Sequence, residues 1–391
     1  MTVNFSDFAL RPELIASLEK NGYKQPTGIQ KEAIPLFLEG HDLIALAKTG
    51  SGKTAACAIP VCSKVDLENK KPQALVIVPT RELAYQYATE TQKIGGKMGV
   101  KTFAICGGED PGLQRAKLTN GVHVLVATPG RLIDFIYSRD VDLSEVSTLI
   151  LDEADEMLNM GFYEDLEFIM QCLFHEHQTC LFSATMPKEI KKIALQHMKN
   201  PKEIKLTEQE IAPAKIDHRF VYTRADERDS KLADLLHEMN PTQCIIFCRS
   251  RVQVEKVTQY LKKKLHQVDY LHAGLSQDVR TIITNKVRSG KIRYLVATDV
   301  AARGLDFSRV SHVFIYELNK DSETYIHRSG RTGRQEREGQ VISLVTHREL
   351  WALKKISEHL KEEPKWIGTP PPSEPPHKPK HPRKPRRRRP D

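Results

Sequence analysis

The stretch Leu43-Ile-Ala-Leu-Ala-Lys-Thr-Gly-Ser-Gly-Lys-Thr-Ala-Ala-Cys-Ala-Ile59 decides how the first half of the chain folds. The apolar run Leu43 to Ala47 reads as a strand, Ala55 to Ile59 as the opening of a helix, and a glycine-rich turn lies between them. Such a turn, Lys48-Thr49-Gly50-Ser51-Gly52, offers backbone N–H groups to phosphate oxygens. Lys53 is then available for the β- and γ-phosphates and the Thr54 hydroxyl for magnesium. The strict phosphate-loop pattern has glycine at its first position, where this chain has Ala47; the second half of the pattern is intact. Downstream, Leu151-Asp152-Glu153-Ala154-Asp155 sets three carboxylates after the apolar run Val146 to Leu151. Asp152 is placed to hold a hydrated Mg²⁺, and Glu153 to orient or deprotonate a water attacking a γ-phosphate. Each segment alone has a plainer reading, a glycine turn with a surface lysine or an acidic helix N-terminus. Together they point to a nucleoside triphosphatase.

Working outward, short apolar runs alternate with helical segments between Gln25 and Leu206: Leu43–Ala47, Ala74–Val78, Thr102–Cys106, Val122–Ala127, Val146–Leu151 and Thr179–Phe182. Several are apolar throughout, as strands of a parallel sheet covered on both faces are. A polar stretch, Thr207 to Lys215, reads as a linker. A second series follows, Phe220–Tyr222, Gln243–Cys248, Val268–Leu271, Tyr294–Ala297, His312–Tyr316 and Val341–Val345, again with helices between. The expectation is an α/β chain of two similar domains, only the first with a phosphate loop. A site shared across a cleft explains that asymmetry.

The second domain's contribution is expected from Tyr325-Ile-His327-Arg328-Ser-Gly330-Arg331-Thr-Gly333-Arg334, where arginines recur three positions apart. Two guanidinium forks set against a γ-phosphate would stabilise transition-state charge. Thr298-Asp299-Val-Ala-Ala-Arg303-Gly304-Leu-Asp306 closes the Tyr294 strand at the carboxyl edge, where open sheets bind ligands.

At 391 residues, 40% hydrophobic and 28% charged, the chain can build two cores. No apolar run approaches the roughly 18 to 20 residues that span a bilayer, and the N-terminus does not resemble a secretory signal, so an intracellular, cytoplasmic address and no membrane partner are expected. Seven cysteines without a Cys-x-x-Cys pair read as buried reduced thiols. The net charge is +9, and residues 367–391 hold eight basic and two acidic side chains, so most of the excess sits in the tail. With ten prolines between Pro364 and Pro390 and a closing Arg386-Arg-Arg-Arg389, the tail is expected to be an extended, disordered arm suited to nucleic acid or ribonucleoprotein partners.

These residues resemble the DEAD-box family of ATP-dependent RNA helicases, in helicase superfamily 2, from about Phe5 to Val345. Besides the loop and Asp152-Glu-Ala-Asp155, Gly22-Tyr23-Lys-Gln-Pro26-Thr27-Gly-Ile-Gln30 is similar to the family's adenine-reading motif, with Phe5 at its isolated upstream aromatic. The resemblance implies adenine contacts from Phe5, Tyr23 and Gln30, and RNA-backbone contacts from Pro79, Thr80, Arg81, Gly108, Thr128, Gly130 and Arg131 in the first domain. In the second, it implies RNA contacts from Arg249, Gly274, Gln277, Arg280 and Thr298. It also implies coupling through Ser183, Thr185 and His327, a ribose contact from Asp306, and γ-phosphate contacts from Arg331 and Arg334. Departures are Lys48, where the family more often has glutamine, and Ala273, where glycine is common.

The fold implied is α/β, two tandem RecA-like domains, each a mostly parallel sheet with helices on both faces, plus the disordered basic C-terminal tail. The boundaries are 1–206 and 216–363 for the domains, 207–215 for the linker and 364–391 for the tail. The activity implied is ATP hydrolysis with Mg²⁺, coupled to domain closure on single-stranded RNA and local duplex unwinding or remodelling of RNA–protein complexes. An ATP-gated RNA clamp with slow turnover is the alternative. Contacts confined to the backbone imply little sequence preference.

Overall fold

The computed structural model describes residues 3–47, 51–205, 216–302, 309–319, 321–333 and 338–372, with the backbone alone at 277, 278, 300 and 323. Lys48, Thr49, Gly50, Asp306, Arg334, the linker 207–215, the side chain of Gln277 and the tail from 373 onward lie outside the described residues.

The chain forms two compact units, each around its own seven-stranded sheet. In the first, β1 (Leu43–Leu46), β2 (Ala74–Ile77), β3 (Thr102–Ile105), β4 (Val124–Ala127), β5 (Thr148–Leu151), β6 (Gln178–Ser183) and β7 (Lys202–Lys205) lie in the order β3-β4-β2-β5-β6-β1-β7. In the second, β8 (Ile216–Tyr222), β9 (Cys244–Phe247), β10 (Val268–Leu271), β11 (Tyr294–Ala297), β12 (His312–Ile315), β13 (Gly339–Val345) and β14 (Lys365–Trp366) lie in the order β10-β11-β9-β12-β13-β8-β14. Counted within its own sheet, each strand has the same rank at the same place, so the two domains share one topology. Every pairing is parallel.

The central strands are apolar on both faces because helices cover both. Along β2, Ala74 and Val76 pack into one core while Leu75 and Ile77 pack into the other. Parallel strands also share one carboxyl edge, and every sequence motif except the adenine-reading segment follows a strand at that edge. All seven cysteines are free and six are buried.

At one edge of each sheet the outermost strand, β7 or β14, carries no apolar run. In β7 only Ile204 is buried. In β14, Lys365 and Trp366, read from sequence as the start of an extended arm, instead pair with Arg219 and Phe220. The Ile367 amide donates to the Phe220 carbonyl at 2.8 Å, and the Trp366 and Phe220 rings lie 6.1 Å apart. Ending the chain at Glu363 is therefore expected to destabilise the second domain by about 1–2 kcal/mol, a few degrees of melting temperature. Ending it after Gly368 leaves the melting temperature unchanged. Thermal unfolding of the two truncations checks this.

Candidate functional site

Three neighbouring strands, β5, β6 and β1, gather the segments expected at the nucleotide phosphates and their metal in the first domain. Leu46 pairs with Ser183 and Leu151 with Leu181, so the phosphate loop, Ser183-Ala184-Thr185 and Asp152-Glu-Ala-Asp155 leave adjacent strand ends. The loop's last glycine is required. Gly52 has φ +93°, and a Cβ there would stand 2.6 Å from Gln30 Nε2 and 2.9 Å from Thr27 Oγ1. Those two side chains brace the loop: Gln30 Nε2 donates to the Gly52 carbonyl at 3.1 Å and Thr27 Oγ1 to the Ser51 carbonyl at 2.9 Å. Gln30, expected at adenine, is buried with its amide oxygen also accepting from the Thr27 N–H at 3.0 Å. It supports the loop from behind. Gly52→Ala is expected to weaken ATP binding at least tenfold, because about 1–2 kcal/mol of left-handed strain adds to the clash; a nucleotide titration checks it.

Lys53, only 6% exposed, opens the helix Lys53–Lys64. Its Nζ lies 3.7 Å from Asp152 Oδ1 and has no hydrogen-bond partner among the described residues, nor has Ser51 Oγ. Two orphaned buried donors beside a glycine turn fit a polyphosphate, which would satisfy both. Asp152 is buried, and desolvation pushes its carboxyl up to about 6 against the pull of Lys53. A divalent cation would supply the missing positive charge, and Thr54, next to Lys53, adds a hydroxyl. Among the described residues no cluster of three or more His, Cys, Asp or Glu makes a protein-only metal cage. The residues fit ATP and Mg²⁺.

Glu153 sits at φ +54°, ψ +47°, an uncommon conformation for a side-chain-bearing residue. That kink turns the chain from β5 into the helix Ala154–Asn159 and leaves Glu153 half-buried between the buried Asp152 and Asp155. Asp155, given no role by the sequence, is a clasp. Its Oδ2 accepts from the Thr185 amide at 2.8 Å and the Thr185 hydroxyl at 2.9 Å, and its own N–H donates to Ser183 Oγ at 3.2 Å. Ser183 and Thr185, expected to couple the sites, thus both meet the acidic segment at Asp155, one through its backbone N–H and the other through its carboxylate. Phe5, expected at adenine, is 5% exposed and packs edge-on at 6.2 Å against Tyr23, which is half-buried with its hydroxyl on Glu90. Phe5 is a core aromatic behind Tyr23.

Strands β3, β4 and β2 are also neighbours, and their ends carry the loops expected at RNA. Pro79 is buried, Thr80 caps the helix Arg81–Gly95 by accepting from the Leu83 amide, and Gly130 is exposed near the start of the helix Pro129–Tyr137, which Thr128 precedes. Gly108, at φ +77°, lies so close to Arg81 that a Cβ would stand 2.1 Å from Nη1. Arg131, expected at an RNA phosphate, has its fork committed inside the domain. Nη1 donates to Gln114 at 2.9 Å and Nη2 to the Glu109 carbonyl at 3.1 Å. It therefore holds the 107–109 loop.

In the second domain the strands of matching rank, β10, β11 and β9, end in His272-Ala-Gly274, Thr298-Asp299 and Cys248-Arg249-Ser250. Arg249 and Gly274 are exposed, Arg280 and Thr298 half-buried. The residue that the sequence missed is Arg328, 2% exposed. It grips Asp299 with two bonds, Nε at 2.6 Å and Nη2 at 2.8 Å, and donates from Nη1 to the Glu317 carbonyl at 3.0 Å. That grip fixes the helix Ser322–Ser329 on the ends of β11 and β12. His327 on it is half-buried, and Arg331 beyond it is buried with Nε donating to the His327 carbonyl at 3.3 Å.

Paired sheets of one topology, one bearing a phosphate site and the other an arginine segment, define a two-domain nucleoside triphosphatase of the helicase kind. Residues 27–193 match the DEAD/DEAH box helicase family and residues 227–336 the helicase conserved C-terminal domain. The DEAD-box ATP-dependent RNA helicase CshA of Bacillus licheniformis is 42% identical over 363 residues, 93% of this chain and 74% of that protein. The ATP-dependent RNA helicase DbpA of Bacillus subtilis is 40% identical over 367 residues, 94% of this chain and 77% of that protein. Among solved structures, S. cerevisiae Dbp5 bound to RNA and ADP BeF3 is similar at a TM-score of 0.85 and 29% identity, covering 93% of this chain and 95% of that one. The chain belongs to the DEAD-box family of ATP-dependent RNA helicases, with the tandem RecA-like fold and ATP-hydrolysing character of that family. No helix among the described residues is long and apolar enough to cross a membrane.

Proposed function

We propose that the protein is a cytoplasmic, Mg²⁺-dependent RNA helicase that locally unwinds short RNA duplexes or remodels RNA–protein complexes, spending one ATP per closing cycle. The observation that carries this reading is the division of the first sheet's carboxyl edge. The segments assigned to the nucleotide leave the ends of β5, β6 and β1, the loops assigned to the RNA backbone leave those of β3, β4 and β2, and the Asp155–Thr185 clasp lies within the first of these halves. Lys53 and Ser51 hold the phosphates of ATP. Asp152 and Thr54 hold the magnesium, which when bound neutralises phosphate charge. Glu153 takes the proton of the attacking water, and Arg331, with Arg334 beyond it, stabilises the charge on the transferring phosphoryl group.

Hydroxyls, helix N-terminal amides and arginines such as Thr80, Thr128 and Arg249 grip the RNA backbone without reading bases. Binding of ATP and a single strand together closes the two domains, bends the strand and strips its partner; hydrolysis and phosphate loss reopen them. The similarity to a relative whose structure holds RNA and ADP BeF3 supports the same pairing of ligands here. Measuring steady-state ATPase with no nucleic acid, with single-stranded RNA and with DNA of matching sequence tests the reading. Strong stimulation by RNA and not by DNA is expected. Equal rates in all three would overturn it, and RNA-stimulated binding of ATP with almost no turnover would transfer the assignment to an ATP-gated clamp.

A further inference from the structure

We infer that the amino-terminal edge of the second sheet, opposite the edge that carries the motif loops, is a second RNA-binding surface that contacts the phosphates of longer strands. Because all strands of this sheet are parallel, the chain returns to that edge before every strand, and here the returns are crowded with cations. The return before β10 carries Lys262, Lys263 and Lys264, all exposed. The return before β11 carries Lys286, Arg288 and Lys291, exposed, and the half-buried Arg293. Before β12 comes Arg309, exposed, with its guanidinium 3.4 Å from where a side chain on Gly290 would begin. These strands are sheet neighbours, β10-β11-β9-β12, so the cations spread over a width of about 15 Å.

The loops are tied to one another. Arg293 N donates to Gln267 O at 3.0 Å, Lys291 N to Lys286 O at 2.9 Å, and the buried Gln243 amide donates to the carbonyls of both Val287 and Ile292. Arg293 also reaches Pro241 O and Asn240 Oδ1, both at 2.6 Å, and lies over the Tyr294 ring. An open cavity of about 490 Å³ lies among His237, Lys264, His266, Gln267, Arg293 and Tyr294. The carboxylates close by are few: Asp269 pairs with Lys262 at 3.5 Å, and Asp234 and Glu238 stand on the helix Arg228–Met239. Helix C-termini favour cations, which accounts for Lys262 and Arg288 at the ends of their helices. It does not account for Lys264, Lys291, Arg293 and Arg309, which lie beyond them. A fixed basic surface fits a polyphosphate chain, and for a protein of this family RNA is the polyanion at hand. The inference rests on the proposed RNA activity.

The test uses the full chain carrying Lys263→Glu, Lys264→Glu and Lys291→Glu together, with the matching glutamine triple as a milder second variant. Fluorescence anisotropy reads binding of two single-stranded RNAs, about 8 and about 40 nucleotides long, at several salt concentrations, alongside ATPase stimulated by the short one. Expected are unchanged short-RNA binding and stimulation, with long-RNA binding weakened on the order of tenfold and a salt slope shallower by about 2, as for three lost phosphate contacts. The glutamine triple should show the same pattern at smaller size. Unchanged long-RNA binding would overturn the inference and give the surface to an acidic protein partner. Equal weakening of both lengths would also overturn it, as a diffuse charge effect. Absence of short-RNA stimulation in the unaltered chain would instead count against the helicase reading itself.

Discussion

Glu153→Gln is expected to bind ATP as the unaltered chain does and to hydrolyse it about 10²–10⁴ times more slowly, the range of a lost general base. The substitution keeps the shape of the side chain and the backbone kink at φ +54° while removing the proton acceptor. It leaves Lys53 and Asp152, 3.7 Å apart beneath it, unchanged. Single-turnover release of one short duplex can survive in this variant, because closure needs binding alone, but recycling cannot. Phosphate release and duplex release measured under multiple-turnover conditions should therefore fall together. Duplex release that continues at the normal rate while hydrolysis stops would sink the proposed coupling.

The second large effect is expected at Arg331. Replacing it by lysine keeps the charge and loses the fork, and kcat should fall by about 10³–10⁵ with a much smaller change in ATP affinity, as for an arginine that acts on transition-state charge. The same loss could arise indirectly if the segment were merely misplaced, so Arg328→Lys is the control. Arg328 is buried and bonded twice to Asp299 and once to the Glu317 carbonyl, and breaking such a pair should cost about 3–5 kcal/mol and lower the melting temperature by several degrees. Arg331→Lys should lower the melting temperature less than Arg328→Lys while lowering kcat more. A drop in kcat no greater than about tenfold would remove Arg331 from the chemistry.

Residues with local causes were legible from sequence. Strands buried on both faces are mostly apolar, so β2, β4, β9 and β11 stand out as unbroken runs. The phosphate loop is legible because its chemistry needs glycine, lysine and threonine in consecutive order. The edge strands β7 and β14 are not, because a strand paired on one side and solvated on one face can be written Lys-Glu-Ile-Lys or Lys-Trp, and the proline content around Trp366 argues for an arm. Asp155 and Arg328 stood inside recognised motifs without a task. What assigns each a task is a partner distant in sequence, Thr185 and Asp299.

The sequence by itself determined the two-domain α/β class, the nucleotide chemistry and the resemblance to the family, because each depends on residue type at short spacing. Tertiary structure alone decided that the two sheets share one strand order, and that Gln30 braces the loop. It alone decided that the Arg131 fork is bonded to Gln114 and the Glu109 carbonyl, and that cations from separate returns meet on one edge. These depend on which strand ends become neighbours, and strand order is set by packing between segments that are far apart in the chain.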